Sequence, residues 1–169
     1  MEIKAEAKWE GKACTKLTGA RADEVWPLLQ DFFNLDKWFP NLTTCRGIEG
    51  VNGQPGCVRY CAGFSIPNKG SDEETVSWST ERLVSMDEME RSFSYEIVDS
   101  NIGFKSYVST MKVLPWNSNH QNGCVIEWSF LVDPVQGWNL KDLVSKFDSG
   151  LQRMANTIVE ALRCPSQEI

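Results

Sequence analysis

The sequence predicts an α+β fold in which a curved antiparallel sheet of about seven strands carries two short helices and is closed by a long C-terminal helix. Three observations lead to this prediction. An alternating segment near the start is separated from the other extended segments by helical residues, a series of extended runs follows between residues 45 and 134, and a helical apolar stripe occupies the end of the chain.

The first predicted strand is the segment AKWEGKACTKL, in which apolar and polar residues loosely alternate. A helix is predicted from Ala22 to Asn34, because apolar residues recur there at helical spacing. Pro27 stands near the first turn of this helix, where its missing N–H matters least. A second short helical turn is predicted from Asp36 to Asn41, ending at Pro40.

Between residues 45 and 134 the chain has the pattern of an antiparallel meander. The extended runs are CRGIEGV, GCVRYCAGF, TVSWSTERLVSM, RSFSYEIVD, KSYVSTMKVLP and GCVIEWSFLVDP. Turn-forming residues separate them, for example Asn52-Gly53 and the run from Asn101 to Gly103. Short turns of this kind connect neighbouring antiparallel strands, so we expect the runs to pair in sequence order.

The end of the chain predicts one long helix, from about Asn139 to Arg163, because apolar residues recur there every three or four positions. Such a helix is about 35 Å long and can lie across a whole sheet. Together these elements predict a helix-grip arrangement with a cavity between the curved sheet and the last helix. Small ligands often bind in a cavity of this type.

Length and charge limit the classes of function. At 169 residues the chain is predicted to form a single ligand-binding domain over residues 1–169. Its 17 Lys and Arg against 23 Asp and Glu lack the basic excess of nucleic-acid-binding proteins. The sequence contains neither a bilayer-spanning apolar stretch nor a charged-then-apolar leader. We therefore expect a cytoplasmic protein with no nucleic-acid partner and no membrane span, whose oligomeric state stays open.

The cysteines and the single histidine do not suggest a metal site. The six cysteines are expected to be reduced thiols, because no leader directs the chain to an oxidising compartment. Cys57 and Cys61 would lie about 13 Å apart on a strand, too far to share a metal ion. His120 lies in the turn-like run SNHQNG. Neither a metal nor a cofactor is expected.

Alternation along the strands predicts which aromatic side chains enter the interior. Tyr95, Tyr107 and Trp128 each fall on the face of their strand that carries other large apolar residues. Buried hydroxyl and indole groups need hydrogen-bond partners there. Taken singly, each apolar residue on these faces fits an ordinary core position as well as it fits a cavity wall. The closing helix is expected to add apolar cavity walls from Phe147, Leu151 and Met154.

Arg59 and Glu81 are candidate reactive groups, since a carboxylate beside a guanidinium can move a proton. Arg59 shares its strand face with Cys57 and Cys61, and Glu81 shares its face with two serines. Alternation alone leaves both charges on a solvated face, where charges usually lie. If this face instead lined a cavity with polar residues in its wall, both charged side chains would point inward. They would then have to pair or bond to tyrosine hydroxyls, since an unpaired buried charge is costly.

Several segments resemble a known family. They are GCVRY (56–60), WSTERLVSMD (78–87), FSYEI (93–97), GFKSYVSTM (103–111) and EWSF (127–130), with DFFNLDKWFPNLTTC near the front. These segments resemble the lachrymatory factor synthase family of onions and their relatives. More broadly, the chain resembles the plant START-like proteins of the SRPBCC superfamily, grouped as polyketide cyclase/dehydrase and lipid transport. The resemblance runs from about Trp9 to Leu162 and implies the same helix-grip, pollen-allergen-like fold.

The resemblance also implies a reaction and its residues. Arg59 and Glu81 match the residues held to be essential in that family, and Tyr95 and Tyr107 match the tyrosines that line its site. The implied reaction is a cofactor-free rearrangement of a small alkenyl sulfenic acid to a thial S-oxide by an isomerase or lyase. In it Glu81 relays a proton and Arg59 holds the substrate oxygen. Met154 replaces an aromatic residue of the family, so the cavity need not suit the same substrate.

Two other functions stay open. One is a non-catalytic carrier or receptor for a small hydrophobic or amphipathic plant metabolite or lipid. Abscisic-acid receptors are related, but their Ser-Gly-Leu-Pro-Ala gate is not found at FSIPN and their His-Arg-Leu latch is not found at SNIGFKSY. Phe39 stands where their hormone-pairing lysine is expected. The other function is a cyclase, dehydratase or isomerase acting on another metabolite, with Glu81 as base and the tyrosines as oxyanion donors.

Overall fold

The computed structural model describes residues 7–67, 74–118 and 121–163. Within them the elements follow the predicted order. The strands are β1 (Trp9–Thr18), β2 (Thr44–Glu49), β3 (Val58–Pro67), β4 (Glu74–Asp87), β5 (Ser92–Ser100), β6 (Val108–Ser118) and β7 (Gln121–Val132). The helices are α1 (Ala22–Gln30), a 3-10 helix (Phe32–Lys37) and α2 (Leu140–Arg163). His120 and Cys164 lie outside the described residues.

The described strands form one antiparallel sheet in the order β1-β7-β6-β5-β4-β3-β2. The first strand therefore pairs with the last strand, and β2 forms the opposite edge. Helix α2 packs against the sheet through a buried stripe made by Leu143, Leu151, Met154 and Ile158. The predicted α+β helix-grip fold is confirmed.

Strand alternation also predicted correctly which residues of the last strand are buried. Cys124, Ile126, Trp128 and Phe130 are 9% exposed or less, whereas the residues between them are only partly buried or exposed. Alternation works here because successive side chains of a strand point to opposite faces, and only one face of this strand meets the core.

The boundaries of the two early helices differ from the prediction. Helix α1 ends at Gln30 rather than Asn34, and the second helix occupies Phe32–Lys37 rather than Asp36 to Asn41. Tertiary hydrogen bonds explain the change. The side chain of Asn52 donates to Oδ1 of Asp31 and accepts from the backbone N–H of Phe33. These contacts hold the chain in a non-α conformation at Asp31, where helical propensity alone would continue the helix.

Gly63 interrupts the pairing of β3 with β4. The register shifts between Ala62 and Phe64, so Gly63 is the extra residue of a β-bulge. Its φ of +136° lies in a region that side chains rarely adopt, and the backbone of Thr43 and Asn41 approaches it closely. The bulge bends β3 just beyond the residues that face the interior. A glycine is needed here for both reasons.

We expect Gly63→Ala to lower the free energy of unfolding by at least about 1–3 kcal/mol from backbone strain. A clash with the backbone N of Thr43 and the carbonyl O of Asn41 adds to this loss. Urea denaturation measures the effect. Gly53→Ala is the matched control, because Gly53 also has a positive φ but no atom lies within 4 Å of the added carbon. Equal losses in the two variants would contradict the close-approach argument.

The described part of the chain contains no helix with the length and hydropathy that crossing a bilayer requires.

Candidate functional site

Arg59 and Glu81 form an ion pair inside the fold. The two residues stand directly opposite each other on β3 and β4. Nε of Arg59 donates to Oε1 of Glu81 at 2.8 Å, and Nη2 of Arg59 lies 2.8 Å from the same oxygen. Arg59 is 2% exposed and Glu81 is 8% exposed. Alternation alone favoured a solvated face for both charges, but this face of β3 and β4 faces the interior.

The remaining hydrogen bonds fix both members of the pair. Nη1 of Arg59 donates to the carbonyl O of Phe32 at 2.8 Å, and the guanidinium carbon lies 3.8 Å from the centre of the Phe32 ring. Oγ of Ser79 donates to Oε2 of Glu81 at 2.9 Å. Burial has the largest single effect on the pKa of Arg59 and lowers it, but the charge of Glu81, with smaller contributions from Cys61, Tyr95 and Cys45, raises the pKa above its ordinary value. Arg59 therefore stays a cation at any physiological pH.

A second polar group connects β5, β6 and β7. Nε1 of Trp128 donates to the hydroxyl of Tyr95 at 3.2 Å and to Oγ of Ser109 at 2.8 Å. The hydroxyl of Ser109 in turn donates to the carbonyl O of Ser129 at 2.7 Å. The Tyr107 ring lies 6.1 Å from the Tyr95 ring and stacks on Phe104 at 5.2 Å. Both phenols are thus held in fixed orientations by aromatic and polar neighbours.

The two tyrosines stay protonated in the folded protein. Burial raises the pKa of Tyr95 to about 12, and the negative charge of Glu81 adds to that shift. Burial also raises the pKa of Tyr107. Because neutral phenols keep their proton, Tyr95 and Tyr107 can act as hydrogen-bond donors across the physiological range.

We expect the free energy of unfolding to fall as the pH rises from about 10 to about 12. The unfolded chain releases its phenol protons near pH 10, whereas Tyr95 and Tyr107 keep theirs when folded. Over this range the unfolded state binds fewer protons, so stability is full below about pH 10 and decreases above it. Urea denaturation at about pH 8 and about pH 11 measures the decrease. Tyr95→Phe should reduce it, and an unchanged decrease in that variant would contradict the assignment.

Both polar groups lie at the wall of one cavity of about 130 Å³. The cavity wall is mostly apolar and comes from the 3-10 helix region, β3 to β5, β7, the loops beside them and α2. Its apolar residues include Leu35, Phe39, Leu42, Ile97, Ile102, Phe104, Trp138 and Leu143. Such a cavity suits a small molecule with an apolar body and a polar end.

Six predicted site residues line this cavity: Arg59, Glu81, Tyr95, Tyr107, Trp128 and Phe147. The ring of Phe147 stacks on the ring of Trp128 at 4.3 Å. Leu151 and Met154 do not belong to the described lining. Both are fully buried in the core further along α2, because the helical stripe that carries them continues past the end of the cavity.

The cavity also has polar lining residues that sequence reasoning did not select as site residues. Ser77 and Ser79 line it, and their alternation with Glu81 along β4 was a usable signal. Cys61 also lines the cavity, and its alternation with Arg59 along β3 was a signal of the same kind. Lys146 had no such signal. It is an exposed residue of α2 whose Nζ lies 5.2 Å from the centre of the Trp138 ring, at the cavity wall.

Within the described ranges, no group of three or more His, Cys, Asp or Glu side chains is arranged to hold a metal ion.

Solved structures share this architecture. The major latex-like protein 151 of Panax ginseng aligns with a TM-score of 0.66 and 21% identity, covering 89% of this chain and 96% of that chain. A solution NMR structure from Thermobifida fusca aligns with a TM-score of 0.68 and 22% identity, covering 89% of this chain and 93% of that chain. At these identities the similarity establishes the fold alone.

Sequence comparison finds two abscisic acid receptors of Arabidopsis thaliana. Receptor PYL7 is 29% identical over 147 residues, which cover 86% of this chain and 63% of the receptor. Receptor PYL2 is 33% identical over 132 residues, which cover 73% of this chain and 64% of the receptor. The chain therefore spans less than two thirds of the length of either relative.

A family model described as polyketide cyclase / dehydrase and lipid transport matches residues 15–161. The match includes every strand that borders the cavity and nearly all of α2. The broader of the two resemblances drawn from the sequence is thus confirmed. This chain belongs to the polyketide cyclase / dehydrase and lipid transport family.

Proposed function

We propose that this chain binds a small molecule with an apolar body and a polar end, and that Arg59 and Glu81 move a proton on it without a cofactor. The observation that carries the proposal is the buried ion pair at the cavity wall. Burying two charges is costly, and apolar residues of similar volume often stabilise a core as well or better. A buried pair that borders a ligand-sized cavity is therefore a candidate for function rather than for stability.

The hydrogen bonds leave both partners with free capacity. Oε1 of Glu81 is engaged by Nε and Nη2 of Arg59 and by the thiol of Cys61, whereas Oε2 accepts one bond, from Ser79. A carboxylate oxygen has two lone pairs, so Oε2 keeps one for a proton of the bound molecule. Arg59 has five N–H groups, and its bonds to Glu81 and to Phe32 leave N–H groups for a substrate oxygen. Glu81 is then the proton relay and Arg59 the oxygen-binding cation.

The substrate class we propose is a small alkenyl sulfenic acid, by resemblance to the lachrymatory factor synthase family. In this isomerisation Oε2 of Glu81 takes the proton from the S–O–H group, and the electrons of that O–H bond stay on the oxygen. The C=C electrons then take up the proton at the alkene carbon farther from sulfur, while a lone pair of the sulfur forms the C=S bond of the thial S-oxide. No atom is gained or lost. Arg59 would stabilise the oxygen as its charge changes, and the donors Tyr95 and Tyr107 would orient it.

A second candidate is a non-catalytic carrier or receptor, supported by the similarity to two abscisic acid receptors. Lys146 at the cavity wall would suit a ligand with a carboxylate. Phe39, the residue at the position expected for the hormone-pairing lysine, belongs to the apolar wall instead. In this candidate function the Arg59–Glu81 pair serves ligand affinity alone.

Glu81→Gln separates the two functions. The assay combines the purified chain with an alkenyl cysteine sulfoxide and alliinase, and follows thial S-oxide formation. A positioned proton-transfer group contributes about 10²–10⁴-fold, so we expect kcat to fall by that factor. The affinity for anilinonaphthalene sulfonate, a fluorescent probe of apolar cavities, should change little. Glu96→Gln, which alters the exposed Arg82–Glu96 pair, is the matched control and should keep full turnover.

The two alternatives have distinct outcomes. No product from the folded wild-type chain would reject the sulfenic-acid reaction. Abscisic acid binding measured by calorimetry, weakened in Glu81→Gln and Lys146→Gln, would then favour the receptor function. Probe binding without either result would leave proton transfer on another metabolite, the remaining enzymatic alternative.

A further inference from the structure

Cys45 and Cys61 stand directly opposite each other on β2 and β3, and their Sγ atoms lie 3.5 Å apart. Directly opposed residues of antiparallel strands have Cα atoms about 4.5–5.5 Å apart. That range falls inside the range of about 4.4–6.8 Å seen in disulfides. Both side chains already point to the same face of the sheet. The backbone can therefore accept a bond between the two sulfurs without moving either strand.

A small reagent can reach this pair through the cavity. Cys61 lines the cavity together with Lys146, which is exposed on α2. Cys61 thus borders the cavity, and the sulfur of Cys45 lies 3.5 Å from the sulfur of Cys61. Cys45 lies on the edge strand β2 and is 9% exposed, whereas Cys61 is 4% exposed. A small molecule in the cavity therefore lies close to both sulfurs.

The surroundings of the pair favour a thiolate on Cys45. The hydrogen bond from Cys61, together with the positive charge of Arg59, lowers the pKa of Cys45 to about 7 despite burial. The same hydrogen bond and burial raise the pKa of Cys61. A thiolate is thus available within contact distance of the cavity-lining thiol. Thiolates rather than thiols are the reactive form of cysteine.

We propose that Cys45 and Cys61 are a dithiol modification site that a small peroxide, entering through the cavity, converts to a disulfide. The thiolate sulfur of Cys45 attacks one peroxide oxygen. The O–O bond breaks, hydroxide leaves, and Cys45 becomes a sulfenic acid. The sulfur of Cys61 then attacks the sulfenic sulfur, the S–O bond breaks, and water leaves with the proton of Cys61. The two sulfurs lose two electrons and the peroxide gains them.

This modification would act on the Arg59–Glu81 pair at the cavity wall. Sγ of Cys61 lies 3.9 Å from Oε1 of Glu81, and the charge of Cys45 acts on Arg59. A disulfide shortens the sulfur–sulfur distance to about 2.05 Å, which draws Cys61 toward Cys45. It also removes the thiolate charge near Arg59. The inference does not depend on the proposed reaction, because it concerns the thiols themselves.

The test treats the full-length reduced protein with hydrogen peroxide at about pH 7. We expect an intact mass about 2 Da lower, two fewer alkylatable thiols, a crosslinked peptide that joins Cys45 to Cys61, and reversal by dithiothreitol. These readouts on the wild-type chain need no variant. Cys45→Ser and Cys61→Ser should each abolish the crosslink. Cys124→Ser should retain it, because Cys124 is a buried cysteine elsewhere in the core whose pKa is raised by burial.

Three outcomes would overturn the proposal. In the first, Cys45 and Cys61 both stay alkylatable after peroxide treatment. In the second, a crosslink forms between other cysteines. In the third, the Cys45–Cys61 pair gains oxygen without forming a bond between its sulfurs.

Discussion

Glu81→Leu should lower the free energy of unfolding by about 3–5 kcal/mol, because it leaves the Arg59 guanidinium buried without a compensating charge. Arg59 is 2% exposed, so bulk water compensates little for the lost carboxylate. For a chain of this length the loss corresponds to a decrease in Tm of about 6–20 °C. Urea denaturation and thermal melting measure it.

Removing both charges should restore most of that stability. In Arg59→Met/Glu81→Leu the two buried apolar side chains replace an ion pair that had to be desolvated, and such replacements are often neutral or stabilising by about 1–4 kcal/mol. The exposed pair supplies the control, since Glu96→Leu should cost less than about 1 kcal/mol. If Glu81→Leu were no less stable than Glu96→Leu, Arg59 would have to find other compensation in the folded state.

Ile97→Trp should weaken ligand binding while leaving the protein folded. Ile97 pairs with Glu81 across β5 and β4 and lines the cavity. The indole ring of a tryptophan at this position therefore occupies cavity space beside the Arg59–Glu81 pair. Overpacking a filled space costs about 1–3 kcal/mol, which corresponds to a loss in affinity of roughly 5- to 150-fold. Titration with anilinonaphthalene sulfonate measures the affinity.

The neighbouring residue gives the matched control for this prediction. Val98 lies next to Ile97 in the chain, but its side chain is 49% exposed. Val98→Trp therefore adds the same ring outside the cavity and should keep the wild-type affinity. If Ile97→Trp bound the probe as tightly as Val98→Trp, the probe would occupy a site other than this cavity.

Most of the fold could be predicted from the sequence because its strands alternate and its last helix is strongly amphipathic. The early helices could not be bounded in the same way. Their ends depend on Asn52, which lies on a later turn and bonds to Asp31 and Phe33. Local patterns contain no information on a partner that comes from a different part of the chain.

The site was partly predictable for a related reason. Alternation assigned Tyr95 and Trp128 to an interior face, but for Arg59 it gave only the face and not what covers that face. Part of that cover is Phe32 of the 3-10 helix, whose carbonyl O and ring contact the guanidinium. In the same way, helical periodicity placed Met154 on the inward stripe of α2 without showing where the cavity ends along it.

The strand order has a consequence for how the chain folds. Arg59 and Glu81 are 22 positions apart and meet on adjacent strands, so a short loop closes their contact. The hydroxyl of Thr15 on β1 donates a hydrogen bond to the side chain of Gln152 on α2, which is 137 positions away in the chain. Closing a longer loop costs more entropy and slows the formation of its contacts. We therefore expect the Arg59–Glu81 contact to form before α2 packs on the sheet, so that the charged pair of a folding chain is exposed to water until the last helix covers it.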